Sequence, residues 1–166
     1  RPYKTHYLVD RHSSTIEFSK HHRDRVRRAH RKVAVRTVPL HDILDEWTAM
    51  YQTLIERHRL TGIHAFSRSY FEKLADMPEV VTVAAFIDNE LVSCQLWFVS
   101  GTFAYSHLTA SNEQGYKSGA AFAVYDHAIS TLTTCTILDL GGVADSSTKS
   151  NDGLAKFKQG FANAER

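Results

Sequence analysis

The chain has few of the residues that carry specialised chemistry. Among its 166 residues are two cysteines, three prolines, two methionines and two tryptophans. Cys94 and Cys135 lie in apolar, strand-like runs. They are too few for a disulfide framework and lack metal-type spacing, so a reducing, cytoplasmic setting is expected. Ten histidines invite a metal reading, yet no HExxH, paired-Cys or His–carboxylate spacing accompanies them, and no metal is expected. Cys135 has no activating pattern nearby and reads as a packed strand residue rather than a nucleophile. No apolar run is long enough to cross a bilayer, no basic-apolar-small leader opens the chain, and no initiator Met is present. A processed chain, or one cut from a longer protein, is therefore expected. With 43% hydrophobic residues, it suits one domain that buries roughly 70% of its unfolded surface.

Acids are scarce in one place. Between Lys20 and Arg36 eight cations, Lys20, Arg23, Arg25, Arg27, Arg28, Arg31, Lys32 and Arg36, face a single Asp24, although the net charge of the whole chain is only +2. Arg23, Arg27, Arg28, Arg31 and Lys32 are candidates for phosphate or nucleic-acid contact, and a solvated helix face is the equal alternative. His21, His22 and His30 interleave with them, so the patch should strengthen as pH falls through the His range.

Apolar periodicity gives the element order. Tyr3 to Val9 reads as a strand, the basic segment as a helix with a narrow stripe of Val26, Ala29 and Val33, and Val33 to Val38 as a strand stopped by Pro39. Ile43, Leu44, Trp47, Met50, Tyr51, Leu54 and Ile55 recur at helical spacing, and Ser67 caps a second helix that Pro78 ends. Both helices are expected on one sheet face. Val80 to Ile87, Leu91 to Val99 and Phe103 to Thr109 form an antiparallel meander. A polar loop over 111–118 then precedes a helix from about Gly119 to Leu132, a strand from Thr136 to Leu140 and a terminal helix. Grouped strands with one later crossover argue an α+β (mixed α/β) domain around one twisted sheet, covering residues 1–166. In the third meander strand, period two places Tyr105 and His107 on one face and Ser106 and Leu108 on the other.

The end of the chain carries its most specific pattern. Asp139-Leu140-Gly141-Gly142 ends a strand, and Asn151-Asp152-Gly153-Leu154-Ala155-Lys156-Phe157-Lys158-Gln159-Gly160-Phe161 follows. With the strand Tyr3 to Asp10 ahead of an Arg-rich helix, this resembles the FemABX peptidyltransferases and related GNAT-type proteins, specifically the second of their two joined lobes. The resemblance implies a GNAT-like fold with a mostly antiparallel twisted sheet, and a companion N-terminal lobe in the parent chain. A GNAT fold would normally add a closing strand or two, which the element order lacks. It further implies an acyltransferase that moves an acyl or aminoacyl group to an amine acceptor in envelope, peptide or polysaccharide synthesis. No prosthetic group is implied; the donor is aminoacyl-tRNA or acyl-CoA.

Site residues follow from the same resemblance. Phe157 and Lys158 fall at the catalytic cleft, where a fixed cation favours the oxyanion of the tetrahedral intermediate at a cost on the order of 10²–10³ in rate if lost; capping of the helix C-terminus is the structural alternative for Lys158. Tyr116, Lys117, Ser118, Gly119, Ala120 and Ala121 stand at the GNAT pyrophosphate stretch, with Tyr116 where Gln or Arg is usual and Gly119 and Ala121 matching. From strand parity rather than from the resemblance, Tyr105 and His107 are candidates for lining the acceptor cleft, His107 as a general base, with a hydrogen-bonded structural histidine the alternative. Arg57, Arg68 and Tyr70 are candidates for substrate phosphate. Two other readings remain open: an acetyl-CoA-dependent N-acetyltransferase, and a non-catalytic nucleic-acid-binding module that uses the basic helix.

Overall fold

A computed structural model describes residues 4–13, 15–59, 61–62, 65–144 and 149–166. Tyr3, expected to open the first strand, lies outside them. The elements are β1 (Lys4–Asp10), α1 (Lys20–His30), β2 (Ala34–Thr37), a 3-10 turn (Leu40–Ile43), α2 (Leu44–His58), α3 (Arg68–Ala75), β3 (Val80–Ile87), β4 (Glu90–Ser100), β5 (Phe103–Ser111), α4 (Glu113–Ser118), α5 (Ala120–Thr131), β6 (Ile137–Ala144), α6 (Lys149–Gln159) and β7 (Ala164–Glu165). The strands form one seven-stranded sheet in the order β2-β3-β4-β5-β6-β1-β7. Every pairing is antiparallel except β5 with β6.

Period-two alternation divides the core between the two faces. Val83 and Ala85 of β3 point with Leu138 and Leu140 toward α1 and α5, which contribute Val26, Ala29, Val124 and Ile129. Ala84 and Phe86 point the other way, with Cys94 and Leu96, against Trp47, Met50 and Tyr51 of α2 and Phe71 and Leu74 of α3. None of the buried members of this second core comes from β6 or β1. Among the described residues, the face covered by α2 and α3 is thus left without a helical cover at its β6–β1 end.

Four local features depart from the sequence reading. The polar stretch 111–118 is not a loop, because Asn112 accepts from the Gly115 amide through Oδ1 at 2.9 Å and caps the helix α4. Gly119, at φ +70°, ends it in the left-handed conformation, so the loop-forming residue types at both ends are caps. A closing strand is present, since Tyr7 pairs with Glu165 and Leu8 with Ala164. His107 is the extra residue of a β-bulge: Trp97 pairs with Ser106 and Leu96 with Leu108. The bulge breaks strict alternation, so Leu108 packs toward α2 and α3, whereas Ser106 bonds Gln95 on the opposite face.

The last departure concerns α1, whose buried stripe includes His22 as well as Val26 and Ala29. Its Nε2 donates to the Phe157 carbonyl at 2.8 Å and its ring lies edge-on to Phe161 at 4.9 Å. Burial pushes the His22 pKa down, which suits a neutral ring wedged between helices. Gly160 makes this possible: a Cβ there would come within 2.0 Å of the imidazole. Gly160→Ala is expected to force α6 off α1 and cost about 1–3 kcal/mol, visible as a lowered Tm.

Candidate active site

β5 and β6 run side by side for only three residue pairs, Phe103 with Ile137, Ala104 with Leu138 and Tyr105 with Asp139. Beyond Tyr105 and Asp139 the strands part. A cavity of about 300 Å³ lies along the free side of β5, lined by Thr109, Ser111, Gly115, Tyr116, Gly119, Ala121, Phe122, Tyr125, Leu154 and Phe157. Its walls are thus β5, the α4–α5 junction and α6. Tyr125, on the cavity wall, hydrogen-bonds Thr109 and Ser106, and Ser106 Oγ accepts from Gln95 Nε2 at 2.9 Å. These buried polar groups tie β5 to α5 at the level where the sheet opens.

Lys158 sits where the strands part. It is buried, and its Nζ reaches the carbonyl of Gly142 at 3.4 Å. Desolvation pushes its pKa down to about 8, with Asp139 opposing and Lys4 adding to the fall. Phe157 beside it packs edge-on to Phe122 at 4.8 Å and Tyr125 at 4.9 Å.

The double glycine, which lies within β6 rather than at its end, is shaped by its neighbours. His6 pairs with Gly142 and Leu8 with Asp139, so β6 carries one extra residue between them. Gly141, at φ +89°, takes the left-handed turn of this bulge. A Cβ on Gly141 would lie 3.0 Å from Lys158 Nζ, and one on Gly142 would lie 2.7 Å from His6 Nε2. Each missing side chain leaves room for a functional one.

Leu8 pairs with Asp139, so alternation along β1 sets His6 on the same face as Asp139, and the bulge brings Gly142 opposite His6. His6 Nδ1 lies 2.8 Å from Asp139 Oδ2, and the Gly141 amide donates to Asp139 Oδ1 at 2.8 Å. Asp139 is 1% exposed and the His6 side chain 26%. Reading the sequence missed both residues in this role. A carboxylate within the apolar run Ile137 to Leu140 was the available signal, because a buried acid requires partners.

Other candidates fall elsewhere. His107 Nε2 and Tyr70 Oη are 2.7 Å apart, among Phe66 and Phe98, and burial lowers the His107 pKa. Tyr105 is adjacent to Asp139 in the sheet, and its hydroxyl pKa is raised by burial and then by that carboxylate. Arg68 is engaged by Asp45 at 2.7 Å and Glu72 at 3.0 Å, and Arg57 stacks over the Tyr116 ring at 5.1 Å. Lys117 pairs with Glu113 at 2.7 Å, and the Ser118 hydroxyl donates to the Gly115 carbonyl. Ala120 is fully buried. Arg23, Arg27, Arg28, Arg31 and Lys32 are all exposed, the last two in the turn after α1.

A pyrophosphate would require unpaired amides at the α4–α5 junction. Because α4 is helical, the amides of Gly115, Tyr116 and Gly119 are already bonded to Asn112 and Tyr116. That leaves the start of α5, which has no side-chain cap.

Solved structures share this architecture. FemX superposes with a TM-score of 0.79 at 13% identity, over 97% of this chain and 59% of its own. L-PGS from Bacillus licheniformis superposes at 0.74 and 16% identity, over 99% of this chain and 58% of its own. An aminoglycoside acetyltransferase from an uncultured soil metagenomic sample gives 0.61 at 12% identity, over 78% and 89%. The chain therefore spans under three-fifths of the length of the first two, and at these identities the likeness is one of fold. No curated protein matches it in sequence. The acetyltransferase (GNAT) domain matches residues 19–158, from the cap of α1 to the buried lysine, and the chain belongs to that family.

Proposed function

We propose that the chain transfers an acyl or aminoacyl group from an activated donor to an amine, forming an amide. The observation that carries this reading is the opening of the sheet, where β5 and β6 part after Tyr105 and Asp139 and the buried Lys158 ammonium meets the Gly142 carbonyl. The donor lies in the cavity along β5, its carbonyl at the opening. Attack by an amine places negative charge on the carbonyl oxygen, and a cation held in a water-poor site stabilises it without reorganising. The amine approaches from the face that α2 and α3 leave uncovered.

Between the two donors, aminoacyl-tRNA is favoured. Helical pairing of the α4 amides leaves the start of α5 to offer donors to a coenzyme A pyrophosphate, while α1 offers several exposed cations to a polyphosphate backbone. A companion N-terminal lobe of the parent protein completes the acceptor side, in keeping with the longer FemX and L-PGS chains. The envelope-precursor pathway and a cytoplasmic setting belong to the same proposal; no described helix is long and apolar enough to cross a membrane.

Amide formation from aminoacyl-tRNA and from acetyl-CoA, measured side by side with a primary amine, tests the reading. Transfer from aminoacyl-tRNA, with affinity falling steeply with salt, is expected. Transfer from acetyl-CoA alone, insensitive to salt, would replace the donor, and transfer from neither would end the proposal. Ala121→Trp, which fills the cavity, is expected to raise the donor KM at least tenfold while leaving the fold intact.

A further inference from the structure

We propose that His6 is the proton acceptor for the attacking amine, with Asp139 holding its ring; this rests on the acyl-transfer reading above. A carboxylate only accepts hydrogen bonds, so at 2.8 Å from Asp139 Oδ2 the His6 Nδ1 carries the hydrogen. Nε2 is left with its lone pair. That nitrogen lies over Gly142, where even a Cβ would come within 2.7 Å of it. Lys158 Nζ lies against the same two-residue stretch, 3.4 Å from the Gly142 carbonyl. The sheet therefore presents a base and a cation on either side of one Gly-Gly segment, at the point where the strands open.

The arrangement is built rather than incidental. Asp139 is buried to 1% exposure and fixed from two sides, by His6 and by the Gly141 amide at 2.8 Å. His6 remains 26% exposed, as a base that must meet a substrate has to be. His107, further along β5, is bonded through Nε2 to Tyr70, and no carboxylate among the described residues orients it.

In the reaction the amine nitrogen forms a bond to the carbonyl carbon, and the carbonyl π electrons move to oxygen beside Lys158. The N–H proton passes to His6 Nε2. Collapse breaks the ester C–O bond of an aminoacyl-tRNA, or the C–S bond of a thioester, and the leaving oxygen or sulfur takes that proton from the imidazolium. An amide and a free hydroxyl or thiol result, with no oxidant or reductant consumed.

The test is single-turnover transfer by the full-length protein and its His6→Ala and His6→Gln variants, with donor affinity and thermal melting measured on each. Loss of general-base help is expected to slow the chemical step on the order of 10²–10⁴-fold, with donor affinity unchanged. Added imidazole is expected to restore part of the His6→Ala rate. Rates within threefold of the wild type in both variants would overturn the assignment, and so would a loss that imidazole does not relieve. A wild-type protein that forms no amide would instead defeat the acyl-transfer reading beneath it.

Discussion

Replacing Lys158 with methionine is expected to slow amide formation severely while making the protein more stable at neutral pH. The rate should fall on the order of 10²–10³-fold, the usual loss when one oxyanion-stabilising group is removed. Stability should move the other way because the wild-type lysine is charged where it is poorly solvated. Its pKa drops from 10.5 to about 8 on folding. Between those values the unfolded chain holds the proton that the folded chain has released, so wild-type stability rises as pH climbs from about 8 toward 10.5. Below about pH 8 both states are protonated and the full penalty is present, on the order of 3 kcal/mol for this shift. Chemical denaturation of both proteins at pH 7 and pH 10 checks it: methionine should gain most at pH 7, and the rise with pH should be absent. Equal pH dependence in the two proteins would contradict the burial of a charged Lys158.

Gly142→Ala is the second large effect. Gly142 has no positive φ, so its backbone accepts alanine, and the cost arises chiefly because the new methyl would sit 2.7 Å from His6 Nε2, with Lys4 Cβ at 3.1 Å. The imidazole must swing away, and with it the contact to Asp139. A displacement on the order of 1 Å in a reacting group can cost roughly 10²-fold in rate. The expected result is that loss in kcat, a nearly unchanged donor KM and little change in Tm. Retention of full activity would show that the ring position is immaterial to catalysis.

Much of the fold could be read from local pattern. The helical spacing of Trp47, Met50, Tyr51 and Leu54 and the cap at Ser67 gave α2 and α3, and the meander boundaries agree with β3, β4 and β5 to within one or two residues. These elements are legible because their signals are local. The site is not, because its parts meet across the sheet. His6 and Asp139 are 133 residues apart, and only the insertion of β1 between β6 and β7 brings them together. Pairing of Leu8 with Asp139 sets His6 on the Asp139 face, and the bulge at Gly141, a one-residue irregularity that alternation along a strand does not disclose, brings Gly142 opposite His6. His107 shows the same limit from the other side, since its bulge sends Leu108 to the face that strict alternation denied it. Lys158 was reachable only through the Phe-Lys pattern. Its burial, with Nζ on a β6 carbonyl rather than in solvent, depends on the strands having parted.

The most direct test of the central claim is a crystal structure with a hydrolysis-resistant donor, an amide-linked analogue of the 3′ end of aminoacyl-tRNA. The account predicts its acyl carbonyl at the opening between β5 and β6, with the oxygen about 2.7–3.1 Å from Lys158 Nζ and the face toward His6 free for an amine. An acyl group bound away from that opening, with Lys158 still buried against Gly142 and out of reach, would contradict it.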